Sequence, residues 1–114
     1  MTGGTRIVGW GGTGTIGEER LAEDLTKASA NVPLSRGLGR SYGDSALPPP
    51  SQPTVLTTVL ADRILSFDPE TGVICAEAGL SLIELNRLFL PRLFFVPVTP
   101  GTQFVTLGGM VASD

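Results

Sequence analysis

Glycine and proline are unevenly distributed along this chain, and that limits what it can fold into. Its 15 glycines and 9 prolines gather at 9–17, 33–53 and 97–109. Glycine adopts backbone angles that other residues avoid, and proline gives no N–H to a helix or a sheet, so each cluster interrupts regular structure. Only short periodic segments remain between the clusters. Pro48-Pro49-Pro50 with Pro53 reads as a stiff, extended connection, and no internal repeat is present.

Two of the periodic segments read as helices. The first spans about Gly17 to Ala30, with Thr15 and Glu18 as a capping box, Leu21, Leu25 and Ala28 as the apolar stripe and Glu23 four residues before Lys27. The second spans about Leu82 to Leu90. Ser81 and Glu84 repeat the capping box, Leu82, Leu85 and Phe89 share a face, and Pro91 ends the helix. Six stretches rich in β-branched or aromatic residues read as strands: Arg6–Trp10, Val32–Ser35, Thr54–Thr58, Arg63–Phe67, Val73–Ala78 and Phe94–Val98. Asp68-Pro69-Glu70-Thr71-Gly72 reads as a hairpin turn. The expected fold class is α+β, a small mixed β-sheet with two packed helices.

With 114 residues, 41% of them apolar and 17% charged, the chain is expected to form one small globular domain with a single core. A net charge of -3 argues against a nucleic-acid surface. No apolar run reaches the ~18 residues of a membrane span. Met1 to Arg6 lacks a secretory-signal layout, which makes the cytoplasm the default expectation. With no histidine and one cysteine, the chain holds no disulfide, no zinc site built from several Cys or His ligands and no triad with a histidine base. Cys75, within Val73-Ile74-Cys75-Ala76, is expected to be a buried core thiol.

Three glycine-bearing segments bear on chemistry. Gly12-Thr13-Gly14-Thr15-Ile16-Gly17 matches G-x-G-x-x-G, the nicotinamide-binding Rossmann fingerprint. That site also requires an acidic residue ~20 positions on. Val32-Pro33-Leu34-Ser35-Arg36 stands there instead, so a glycine-rich approach to a helix is the competing reading. In the second segment, Ser35-Arg36-Gly37-Leu38-Gly39-Arg40-Ser41-Tyr42-Gly43-Asp44-Ser45, glycines let successive N–H groups converge on an anion, and Arg36, Arg40 and Ser41 suit a diphosphate. A plain surface turn would explain the glycines but not the interleaved arginines and serine. The third runs from Pro97 to Asp114 and holds a Pro100-Gly101 turn and a Gly108-Gly109 pair; alone it reads as a loop and a packed turn.

Taken together, Arg36 to Asp44, Pro100-Gly101-Thr102 and Val105-Thr106-Leu107-Gly108-Gly109 resemble the FAD-binding domain of the vanillyl-alcohol-oxidase-type flavoproteins, the PCMH-type domain. Within that family the likeness is to its decaprenylphosphoryl-β-D-ribose oxidase-like, sugar-oxidising branch. Gly9-Trp10-Gly11 and Glu77-Ala78-Gly79 also fit. The resemblance implies that Ser35, Arg36, Gly37, Leu38, Gly39, Arg40, Ser41, Tyr42, Gly43, Asp44 and Ser45 wrap the FAD pyrophosphate. It adds Gly101, Thr106, Leu107, Gly108 and Gly109 as a second set of contacts, with Ser113 near the flavin. Arg40 stands where many members carry the histidine that bonds FAD covalently, so noncovalent FAD is implied, and no catalytic residue is assigned. Residues 1–114 are then expected to be the N-terminal part of such a domain. Its partners would be the rest of the FAD domain and a substrate domain, and the intact enzyme would pass a hydride from a sugar or other alcohol carbinol to flavin. Two other readings are carried beside this one: a noncatalytic nucleotide-binding or partner-docking module, and the NAD(P)-binding Rossmann domain.

Overall fold

A computed structural model of the chain describes residues 4–42 and 45–113. Strand β1 (Thr5–Val8) turns back into β2 (Gly14–Leu21) as an antiparallel hairpin. Helix α1 (Leu25–Ala28) and a 3-10 turn at Ser29–Asn31 lead to the two-residue strand β3 (Ser35–Arg36), and a long connection returns to β4 (Thr54–Thr57). These strands form one mixed sheet in the order β1-β2-β4-β3, with β4 parallel to both neighbours. Strands β5 (Ile64–Asp68) and β6 (Val73–Ala76) form a separate antiparallel hairpin, followed by α2 (Leu82–Phe89) and α3 (Leu107–Ser113). The fold is α+β, with two sheets and three helices among the described residues. None of those helices is long and apolar enough to cross a membrane.

The first expected helix is instead mostly strand. Thr15, proposed as its cap, pairs with Ile7, and Glu18 to Leu21 pair with Thr54 to Thr57. Glu18, Glu19, Arg20 and Leu21 are good helix formers, but parallel pairing with β4 overrides that local preference. Gly17 makes the pairing possible, because a Cβ there would overlap the Pro53 carbonyl. The helix begins only at Leu25, where Asp24 Oδ1 accepts from the Lys27 N–H at 3.1 Å, so Glu23 lies outside it. The G-x-G-x-x-G segment is thus the second half of a hairpin. It opens no helix and presents no helix N-terminus to a pyrophosphate, which overturns the Rossmann reading.

The second half of the chain follows expectation more closely. Helix α2 starts at Ser81, whose hydroxyl accepts from the Glu84 N–H at 3.2 Å. The reciprocal half of the box is replaced by an ion pair from Glu84 to Arg87. Leu82, Leu85 and Phe89 are buried with Leu80 against Phe67, Ile74 and Ala76 of the hairpin. Phe67 meets Phe89 at 4.7 Å and Phe94 edge-on at 5.0 Å, favourable aromatic geometries. Gly72, at φ +74°, closes the β5–β6 turn as the sequence predicts.

Three expectations fail here. Val32–Ser35 contributes only Ser35 to a strand, since Pro33 has no N–H for the ladder. Phe94–Val98 forms no strand: Phe94 and Val96 pack on the cluster while Phe95 and Val98 are exposed, so the alternation is present without a pairing edge. Pro91, by contrast, does follow the end of α2, within a 3-10 turn at Leu90–Arg92. Cys75 is exposed, because its neighbours Ile74 and Ala76 face α2 and a strand alternates its faces. The Cys75 thiol is expected to react with a small thiol reagent in the native chain at a rate near that of the urea-unfolded chain. A rate orders of magnitude slower would mean that the strand faces are assigned the wrong way round.

Arg63 and Glu77 close the open end of the hairpin. The Arg63 guanidinium donates to both carboxylate oxygens, at 2.7 and 3.2 Å, and its backbone N–H donates at 2.9 Å. The side-chain and then the backbone hydrogen bonds from Arg63 hold the Glu77 carboxyl below its usual range, and the same pair raises Arg63. A carboxyl lowered on folding adds stability above its unfolded value of about 4.3, and that stability is lost as pH falls through the lower folded value. Urea unfolding between pH 7 and pH 3 should therefore show wild type more stable than Glu77→Gln at neutral pH, with the gap closing in acid. A pH-independent gap would contradict the assignment.

Candidate functional site

The site grows from the C-terminal end of β4. Thr58 is buried, and its N–H and hydroxyl donate to the Arg36 carbonyl at 2.9 and 3.3 Å, fixing the start of the 36–41 loop. The Thr58 carbonyl accepts from the Ala61 N–H at 3.0 Å, and the Ala61 carbonyl from the Gly79 N–H at 2.8 Å. The backbones are so close that a Cβ at Gly79 would overlap the Thr58 carbonyl.

Residues 78–83 then carry the third glycine-bearing segment. The N–H groups of Leu82 and Ile83 donate to Val105 and Gln103, while those of Leu107 and Gly108 donate back to Leu80 and Ala78, at 2.8–3.0 Å. Thr106, 3% exposed, caps α3 by accepting from the Gly109 N–H at 3.2 Å. Its side chain also lies against Gly37, where any Cβ would collide with it. The two glycine segments therefore touch, with the Thr106 side chain resting on the bare backbone of Gly37.

Between them opens a pocket of about 370 Å³. Of the residues expected at a site, Ser35, Arg36, Gly37, Leu38, Gly39, Arg40, Ser41, Ser45, Thr106, Gly108, Gly109 and Ser113 line it. Three expected residues do not. Tyr42 is 85% exposed, Gly101 stands in open space, and Leu107 packs into the α2 core. Gly43 and Asp44 lie outside the described residues. Leu25, Ala46, Thr58, Ala78, Val105 and Ala112 complete the lining and were missed. A strand-end threonine and apolar side chains carry no chemical signature; of these six, Val105 and Ala78 stand within the motifs Val105-Thr106-Leu107-Gly108-Gly109 and Glu77-Ala78-Gly79.

The described lining contains two arginines and no carboxylate, so its field favours an anion. The arginines differ in use. Arg36 donates to the Ala46 carbonyl at 3.0 Å and to the Val8 carbonyl at 2.9 Å, so its fork braces the loop rather than facing the pocket. Arg40 is exposed, with its guanidinium 5.0 Å from the centre of the Trp10 ring. The N–H groups also divide. Those of Leu107, Gly108 and Gly109 are taken by Leu80, Ala78 and Thr106. Those of Leu38, Gly39, Arg40 and Ser41 make no backbone hydrogen bond among the described residues. Gly39, at φ +72°, turns this stretch through a conformation costly for other residues. Apart from the arginines the described lining holds no ionisable side chain, so among the described residues the pocket offers positive charge and hydroxyl groups and no general acid or base.

The Gly37–Thr106 contact has a measurable consequence. Gly37→Ala should destabilise the fold by about 1–3 kcal/mol through overpacking. Thr106→Ala should cost about 1 kcal/mol through the lost cap. In urea unfolding the double variant should be more stable than the sum of the two losses predicts, since removing the threonine relieves the clash. Strict additivity would show that the two loops do not touch.

Residues 7–114 match the family described as the FAD binding domain. Decaprenylphosphoryl-beta-D-ribose oxidase of Mycolicibacterium smegmatis is 36% identical over 120 residues, covering 96% of this chain and 26% of the oxidase. The mitochondrial D-2-hydroxyglutarate dehydrogenase of Rattus norvegicus is 33% identical over 61 residues, covering 53% of this chain and 11% of that protein. The chain therefore spans about a quarter or less of the length of these relatives. A match running through both glycine segments and the strands that join them places the chain in the FAD binding domain family.

Proposed function

We propose that this chain is the diphosphate-gripping part of an FAD-dependent oxidoreductase that takes a hydride from a carbinol carbon of a sugar or similar alcohol. One observation carries the reading: two glycine segments meet at Gly37 and Thr106 over a pocket with two arginines and no described carboxylate. The fit to a dinucleotide rests on shape as well as charge. The pocket is near the lower end of the ~300–1,000 Å³ range for ligand sites, room for part of a dinucleotide. The names of both relatives refer to hydroxyl-bearing substrates, which supports the alcohol class.

Each residue's role follows from its place. The N–H groups of Leu38 to Ser41 and the hydroxyls of Ser41 and Ser45 face the diphosphate, and Arg40 supplies the charge. Gly37, Gly108 and Gly109 keep the walls low enough for close approach. Tyr42, Gly43, Asp44, Gly101 and Leu107 remain assigned by resemblance alone. When bound, the flavin supplies the hydride acceptor, and this chain holds and orients it. The linkage is noncovalent, since the chain has no histidine and Cys75 is not among the pocket residues. The remaining wall of the FAD site and the substrate site belong to further sequence, in line with the 26% of the oxidase that this chain spans.

The 114-residue chain should bind FAD weakly, riboflavin more weakly still for want of a diphosphate, and oxidise no alcohol. Arg40→Glu should lower FAD affinity more than Arg40→Ala, because it adds repulsion to a lost attraction. FAD fluorescence titrations and an alcohol-oxidation assay with an artificial electron acceptor test these points. Equal affinity for FAD and riboflavin would end the diphosphate reading. Yellow colour that stays with the denatured chain on a gel would overturn the noncovalent linkage.

A further inference from the structure

We propose that Trp10 is a positioning residue that holds the Arg40 guanidinium ready at the rim of the anion pocket; this rests on the reading of that pocket as a diphosphate site. Arg40 is the lining cation with charge to spare, since the Arg36 fork is committed to the Val8 and Ala46 carbonyls. Three other arginines, Arg20, Arg63 and Arg87, each pair with a glutamate. Among the described residues the Arg40 side chain makes no such pair and no hydrogen bond. Its partner is the indole face of Trp10, with the guanidinium 5.0 Å from the ring centre.

The difference in partner matters chemically. A carboxylate would fix the guanidinium but cancel the charge that a phosphate needs. An aromatic face attracts the cation through its quadrupole and leaves the net charge intact. Arginine is long and loses rotamer freedom when it binds, so holding it beforehand lowers the cost of ordering it around a ligand.

Trp10 is itself well placed for this. It lies in the β1–β2 turn, which is closed by hydrogen bonds from Gly9 N–H to the Thr13 carbonyl at 2.8 Å and from Gly12 N–H to the Gly9 carbonyl at 3.1 Å. Arg36 ties the preceding residues to the pocket loop through Val8. Trp10 is 52% exposed and lies outside the buried core, so its ring is not needed to fill the interior.

The test measures the affinity of the full 114-residue chain for FAD and for ADP by equilibrium dialysis, with circular dichroism as a folding control. Trp10→Ala should weaken both ligands about two- to five-fold, the size of an exposed cation–π contact. Trp10→Phe should recover most of the loss, since it keeps an aromatic face. In an Arg40→Ala background, Trp10→Ala should add nothing. Salt dependence separates the two roles further: Arg40→Ala should flatten the fall of affinity with ionic strength, while Trp10→Ala should leave that slope unchanged. The inference is overturned if Trp10→Ala has no effect, or has the same effect with and without Arg40. A wild-type chain that binds FAD and ADP in these cases keeps the diphosphate reading intact. A folded wild-type chain that binds neither ligand overturns both.

Discussion

The close crossing of two backbones at Gly79 is the constraint on which the rest of the molecule depends. Its N–H reaches the Ala61 carbonyl, and the space where a Cβ would stand is filled by the Thr58 carbonyl. That crossing joins the four-stranded sheet to the β5–β6–α2 unit through main chain alone. On one side, Thr58 fixes the Arg36 carbonyl and so the start of the first glycine loop. On the other, Ala78 and Leu80 hold Gly108 and Leu107 and so the start of α3. The pocket is the gap left when two loops are anchored to opposite sides of one crossing. Its geometry is set by peptide hydrogen bonds, which are less adaptable than side-chain contacts.

The elements legible in the sequence were those whose local preference and tertiary setting agree. Helix α2 had a serine cap, an apolar stripe and hairpin partners to receive it. The Asp68–Gly72 turn had its glycine where a positive φ was needed. The failures are places where the two disagree. Glu18 to Leu21 favour helix, yet they are paired along their length with β4. Helix α3 was hidden by Gly108 and Gly109, poor helix formers whose bareness serves packing, since Gly108 approaches Ala78 at van der Waals limits. The burial of Cys75 was misjudged for a simpler reason: a short strand of four apolar residues does not announce which alternate pair faces in.

The pocket was legible through its backbone-permissive residues and much less through its walls. Glycines interleaved with arginines and serines carry a recognisable purpose, and most of those residues do line the pocket. Tyr42, Gly101 and Leu107 sit in the same motifs but point elsewhere, since a motif fixes order along the chain and not direction in space. Arg36 shows the limit most clearly. Its place in the loop suggested a phosphate ligand, whereas its fork is spent on two main-chain carbonyls. A strongly hydrated lysine at that position could not brace two carbonyls with one planar group.

In the proposed diphosphate site the two glycine segments, similar in composition, have different parts. In α3 the first N–H groups are consumed by Leu80, Ala78 and Thr106, so that helix start lends the pocket shape and little donor capacity. In the 38–41 stretch the N–H groups stay clear of the described backbone network, so in the proposed site this loop is the side with donors for the diphosphate. A wall that is fully bonded internally keeps its position when a ligand arrives, and a wall with free donors gains hydrogen bonds only by meeting one. The pairing of a saturated wall with an unsaturated one explains why Gly37 must lie flat against Thr106. A side chain there would collide with Thr106 and push the 38–41 stretch away from that wall.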